Sequence, residues 1–137
     1  MQSIETDDII CSILNASEEL TNAISGGIYV MGERPDDSEA EDIVINNLFL
    51  SHDMPQTGTS NINIHVTDLK VNISGKEQRK GHRERIREIT SLVMKVIKAA
   101  NIPGLTIRIA NETIIKEPNI SQHYNNIRIE WNIQRTN

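Results

Sequence analysis

Cysteine occurs once in these 137 residues, at Cys11. A lone thiol excludes an internal disulfide framework and a zinc site built on several cysteines. Aromatic side chains make up only 3% of the chain, so a core has to come from aliphatic residues. No apolar run approaches the roughly 20 residues that a membrane-spanning helix needs. No membrane partner is therefore expected. The first apolar stretch is preceded by Glu5, Asp7 and Asp8 instead of a basic lead, and no secretory leader is expected. An excess of cations is missing too. Fourteen Lys and Arg stand against nineteen Asp and Glu, a formal charge of -5, which excludes a chain-wide basic footprint for nucleic acid.

The usual catalytic signatures are also lacking. Gly26-Gly27 is too short for a phosphate-cradling loop. There is no paired-histidine zinc motif and no serine in a nucleophile elbow. His52, His65, His82 and His123 fall in separate segments with no spacing that fixes a shared site. No catalytic residue, metal ligand or cofactor is assigned, and the chain is not expected to be an enzyme.

What is present is isoleucine, twenty-three of them. β-Branched aliphatics pack well on a pleated surface and favour sheet. Asparagine is abundant as well, and suits turns and exposed strand faces. The length fits a single domain over residues 1–137, with a basic insert at about 71–81.

The pattern predicts a first helix capped by Thr6 and running to about Ser25. Its apolar stripe includes Ile10, Ile13, Leu14, Leu20 and Ile24, with Cys11 off the stripe centre. Gly26-Gly27 is read as its stop. Ile28–Met31 reads as a short strand, and Asp42–Leu50 as a longer one. Ser51–Ser60 reads as a turn-rich loop. Asn61–Val66 alternates cleanly, with Ile62, Ile64 and Val66 on one face and His65 among the exposed polar row. The extended pattern continues through Leu69, Val71 and Ile73 to Ser74-Gly75. A second helix is expected over His82–Ala100, its stripe formed by Ile86, Ile89, Val93, Val96 and Ile97. Leu105–Ile109 and Thr113–Glu117 read as two strands parted by a turn at Asn111-Glu112. Asn119–Tyr124 reads as polar loop. The last strand places Ile127, Ile129, Trp131 and Ile133 on one side, with Trp131 in the core. The order implies an α+β fold: a mainly antiparallel sheet with two helices packed on one face and the other face free.

Two charged segments stand out as candidate subunit or partner contacts. The acidic one holds Asp36, Asp37, Glu39, Glu41 and Asp42. It lacks the alternating ligands and closing Glu of a calcium loop, so it reads as a solvated loop. The basic one holds Lys76, Arg79, Lys80, Arg83, Arg85 and Arg87, interrupted by Glu77 and Glu84. It reads as a mobile basic loop leading into a solvated helix face, with an acidic protein surface as the first alternative and phosphate as the second.

The layout resembles the tail-completion, or tail-terminator, family of long-tailed bacteriophages. The resemblance rests on the helix ending in Gly26-Gly27-Ile28-Tyr29, the loop through Pro35 into Ile43-Val44-Ile45, and the run Asn61–Val66. The helix with Ile86, Ile89, Val93 and Ile97 and the closing pattern from Ile114 through His123 to Ile133 complete it. It departs from the family at 71–81, where the step into the second helix is longer and more basic. The resemblance implies a structural virion protein of the tail-neck region, assembled in the host cytoplasm. Six copies would form a ring at the head-proximal end of the tail tube, stop its growth and join tail to head. Its partners would be its own copies, the tail tube protein and a head-connector or neck protein, with DNA passing through the lumen. A neck adaptor is the nearest alternative. An assembly factor, a nucleic-acid binder using Arg83 and Arg85, and a small enzyme using His65 or His123 are the others.

Overall fold

The computed structural model describes residues 1–117 and 122–134. Helices α1 (Ser3–Asn15) and α2 (Glu18–Ala23) lead into β1 (Ile28–Val30), β2 (Asp42–Leu50) and β3 (Gln56–Thr67). A hairpin of β4 (Leu69–Ile73) and β5 (Lys76–Lys80) precedes α3 (Arg83–Ala99). β6 (Leu105–Glu117) and β7 (Gln122–Ile133) follow. Five strands form one sheet in the order β1-β2-β3-β7-β6, with β1 parallel to β2 and every other pair antiparallel. The fold is α+β, as the alternation of patterns implies.

The helices lie on one face of the sheet. α1 packs on β1 and β2, and α3 on β3, β6 and β7. Between them lies one cluster of buried aliphatics, including Ile10, Leu14, Ile43, Ile45, Ile62, Ile64, Ile89, Val93, Ile127 and Ile129. Each such side chain contributes about 1.5–3 kcal/mol by leaving water. Trp131 closes one end of this core, and its indole Nε1–H donates to Ser60 Oγ at 2.9 Å. That partner removes the cost of burying an unpaired N–H.

Several boundaries differ from the sequence expectation. The first helix is two helices. Thr6 does not cap it but lies inside α1, buried, its hydroxyl donating to Ser3 O and accepting from Asn47 Nδ2. Ser17 interrupts the helix and caps α2 by accepting from the Leu20 amide. Gly26-Gly27 is not the stop, because α2 already ends at Ala23. Gly26 instead permits close approach: a Cβ there would fall 1.9 Å from Asp42 Oδ1.

β3 begins at Gln56, so the second half of the expected Ser51–Ser60 loop is strand. A bulge between Asn47 and Phe49 reverses the facing of β2. Phe49 therefore points outward, 59% exposed, while Leu50 packs on the core. The expected turn at Asn111-Glu112 is absent, since β6 runs through it with a bulge between Ile109 and Asn111. Gln122–Tyr124, expected as loop, belongs to β7. The polar stretch at 119–121 lies outside the described residues.

The basic segment is not a loop. Lys76–Lys80 pairs with β4 across a Ser74-Gly75 turn in which both residues have positive φ. Such a two-residue turn matches the twist of a hairpin.

Candidate interaction surfaces

The loop between β1 and β2 is held down by one arginine. Arg34 Nε donates to Asp42 Oδ2 at 2.8 Å, Nη2 to Gln122 Oε1 at 2.8 Å, and Nη1 meets His65 Nδ1 at 3.3 Å. The Ser38 hydroxyl donates to Asp42 Oδ2 at 2.5 Å and the Gly27 amide to its Oδ1 at 2.9 Å. Burial works against charge on Asp42, but Ser38, Arg34 and Gly27 outweigh it and hold the carboxyl below its ordinary range. The loop crosses the face of the sheet opposite the helices. That is why His65, expected to be exposed, is 8% exposed and stacks at 4.9 Å on Tyr124. Burial first, and the Arg34 cation second, push its pKa down to about 4. A neutral imidazole accepting from Arg34 through Nδ1 fits this arrangement.

A second arginine ties the N-terminus of α3 to the same loop. Arg85 Nε donates to Glu41 Oε2 at 2.5 Å and Nη2 to Glu41 Oε1 at 2.8 Å. It also donates to the Ala23 carbonyl and reaches Glu88 at 2.9 Å. The bidentate bond from Arg85 keeps the Glu41 carboxyl low, and the Glu41 bond raises the Arg85 pKa. Three candidate contact residues, Glu41, Asp42 and Arg85, are thus engaged within the chain.

The others are outward. Asp36, Asp37 and Glu39 are exposed on the β1–β2 loop. Lys76, Arg79 and Lys80 are exposed on β5, and Arg83 and Arg87 on α3. Among the described residues none of these eight is in an ion pair. The hairpin has no substantial packing against any other described element. It is fixed at its root: Asp68, fully buried and just before β4, accepts from His123 Nδ1 at 2.5 Å. Gly81, just after β5, lies against the His123 ring. One histidine of β7 therefore touches both ends of the hairpin.

Sequence reasoning missed two further surfaces. A shallow depression of about 420 Å³ lies on the outer sheet face between Phe49, Thr59, Arg108 and Glu130. Arg108 and Glu130 face each other across β6 and β7 as an ion pair. β6 forms an edge of the sheet over thirteen residues, with Ile114 and Ile115 exposed. The β2 bulge that turns Phe49 outward has no signal in residue spacing. Among the described residues no three His, Cys, Asp or Glu side chains are placed to hold a metal ion. No described helix is long and apolar enough to cross a membrane. The arrangement offers exposed charged and apolar surfaces.

The fold defines a five-stranded α+β sheet with helices on one face, and solved structures share it. No known sequence family matches the chain, and no curated protein does. Nineteen chains of solved structures match. One is a chain in the virion of a native gene transfer agent particle, with a TM-score of 0.56 over 90% of each chain at 7% identity.

Proposed function

We propose that this protein is a structural virion component of a phage-type tail, a tail terminator or completion protein. In this reading, copies close into a six-subunit ring at the head-proximal end of the tail tube, stop its growth and join the tail to the head. The observation that carries it is the fold shared over nine-tenths of the chain with a component of a virion. The layout that resembles tail-completion proteins agrees with it. The chain's work would then be geometric and not catalytic. Each copy contacts the next through unlike surfaces, and rotation closes the ring. Its partners are further copies, the tail tube protein and a head-connector or neck protein. DNA only passes through the lumen, in keeping with a formal charge of -5. The protein resides at the tail neck after assembly in the host cytoplasm. A neck adaptor is the second reading, favoured by the hairpin, which is longer and more basic than the usual step into the second helix.

Native mass spectrometry of the purified protein, alone and with tail tube protein, tests this. A six-subunit species and capping of growing tubes are expected. Absence from purified virions together with normal tail lengths in a deletion strain refutes it. A protein found in virions whose loss leaves tail length normal but heads unjoined points to the neck adaptor.

A further inference from the structure

The β4–β5 hairpin is two five-residue strands with little to hold them. An isolated two-stranded hairpin is marginal in water. Here the register puts Leu69, Val71 and Ile73 on one face together with their cross-strand partners Lys80, Gln78 and Lys76, and Lys70, Asn72, Glu77 and Arg79 on the other. Leu69 and Ile73 are exposed. At about 3.3 Å per residue the hairpin reaches roughly 17 Å from its root. None of Lys70, Lys76, Arg79 and Lys80 has an ion-pair partner among the described residues. The hairpin is thus an amphipathic, cationic arm that its own chain leaves uncovered.

The opposite character lies on α1 and the β1 edge of the sheet. No Lys or Arg occurs before Arg34. Ile4, Asp8 and Cys11 lie along one stripe of α1, with Asp7 beside them. The strand α1 packs on, β1, is the other edge of the sheet and runs into Met31 and Glu33. Asp7, Asp8 and Glu33 lie close enough to Cys11 for their charges to raise its thiol pKa, after the larger effect of burial. None of the three carboxylates has an ion-pair partner among the described residues. Ile4 at 63% and Met31 at 66% exposure supply apolar surface beside them. This is an anionic, partly apolar edge, complementary in both charge and hydropathy to the hairpin.

We infer that the β4–β5 hairpin of one copy docks on the α1–β1 edge of the next, with Lys76 and Lys80, which share the face of the apolar row, facing Asp8 and Glu33. The contact rests on the ring reading and supplies its subunit joint. It joins unlike surfaces, so head-to-tail repetition closes into a ring when the rotation between copies allows it. Exposed charge pairs contribute little singly. The apolar row supplies area, while the charges set register and exclude a hairpin-to-hairpin pairing. Assembly should accordingly weaken as salt rises.

The test is a charge exchange. One variant carries Lys76→Glu and Lys80→Glu. The other carries Asp8→Lys and Glu33→Lys. All four residues are exposed, and circular dichroism with Trp131 emission checks that each variant folds. Oligomers are read by native mass spectrometry and sedimentation. Each variant alone should need at least about tenfold more protein to assemble than the wild type. An equal mixture should assemble again, with the two variants alternating. The inference is overturned if either variant assembles like the wild type, or if the mixture stays dispersed. Those outcomes leave the ring reading standing when the wild type forms six-subunit rings. A wild type that stays monomeric with and without tail tube protein overturns both. Salt-sensitive binding of a DNA duplex that the hairpin variant loses while its rings persist assigns the arm to nucleic acid and also overturns the inference.

Discussion

Mild acid should loosen this fold through His65. In the unfolded chain an imidazole titrates near its ordinary value of 6.5, whereas in the fold burial and Arg34 hold His65 at about 4. Between those two values the unfolded state binds the proton and the folded state does not. Stability is therefore full above pH 6.5, falls as pH drops toward 4, and levels once both states are protonated. The gap corresponds to about 3 kcal/mol, at roughly 1.4 kcal/mol per pH unit. That is a large share of the 5–15 kcal/mol typical of a domain. Glu41 and Asp42 act in a separate window. Their carboxyls are lowered by their partners, so their stabilisation is present above about pH 4 and is lost only below it. Urea unfolding followed by Trp131 emission at half-unit steps from pH 7.5 to 4 measures the slope. His65→Gln keeps a polar group toward Arg34 but does not titrate, and should remove most of the slope above pH 4.5. A wild type whose stability is flat from pH 6.5 to 4.5, or a variant with an unchanged slope, would refute the reasoning.

Two substitutions probe the ties that set the β1–β2 loop. Arg85→Ala should cost about 2 kcal/mol in urea unfolding, because it leaves Glu41 and the Ala23 carbonyl without their charged donor. Arg85→Lys should recover less than half, since one ammonium cannot span both acceptors. Gly26→Ala should cost about 2 kcal/mol by the same assay, since its Cβ would fall on Asp42 Oδ1 and 2.7 Å from Glu41 O. Asp42 cannot swing away without releasing Arg34, Ser38 and Gly27, so a neutral Gly26→Ala would count against that network.

The parts of the fold that were legible are those whose own residues repeat. α3 shows a stripe from Ile86 to Ile97, and β7 alternates from Ile127 to Ile133, because each buries one face against the same core. α1 and α2 were read as one helix because Leu14, Leu20 and Ile24 continue a common stripe across the break. Ser17 followed by Glu18 and Glu19 was the available signal, a capping residue with acid in the first turn. β5 was missed because Lys-Glu-Gln-Arg-Lys has no apolar alternation; it is a strand only because β4 pairs with it. His65 was misread for a non-local reason. Its neighbours in sequence place it on a polar row, but the loop carrying Arg34, 31 residues away, covers it. The same holds for the candidate contacts. Sequence picked out two charged segments, yet only coordinates separate Glu41, Asp42 and Arg85, engaged within the chain, from Lys76, Arg79 and Lys80, which face outward.

The position of β7 has a consequence for synthesis. It is the last described element in the chain, yet it lies between β3 and β6, joining Ile62 to Ile127 and Ile109 to Ile129. While the ribosome is still translating earlier segments, β3 has one long edge bare and β6 has no neighbour. His123, which anchors the hairpin root, has not yet been made. Pairing of such distant segments is slow, and a nascent chain carries an arm that is not yet fixed in direction. In the proposed ring, copies would present a finished hairpin joint only after β7 has emerged, which would keep partly made chains out of the assembly.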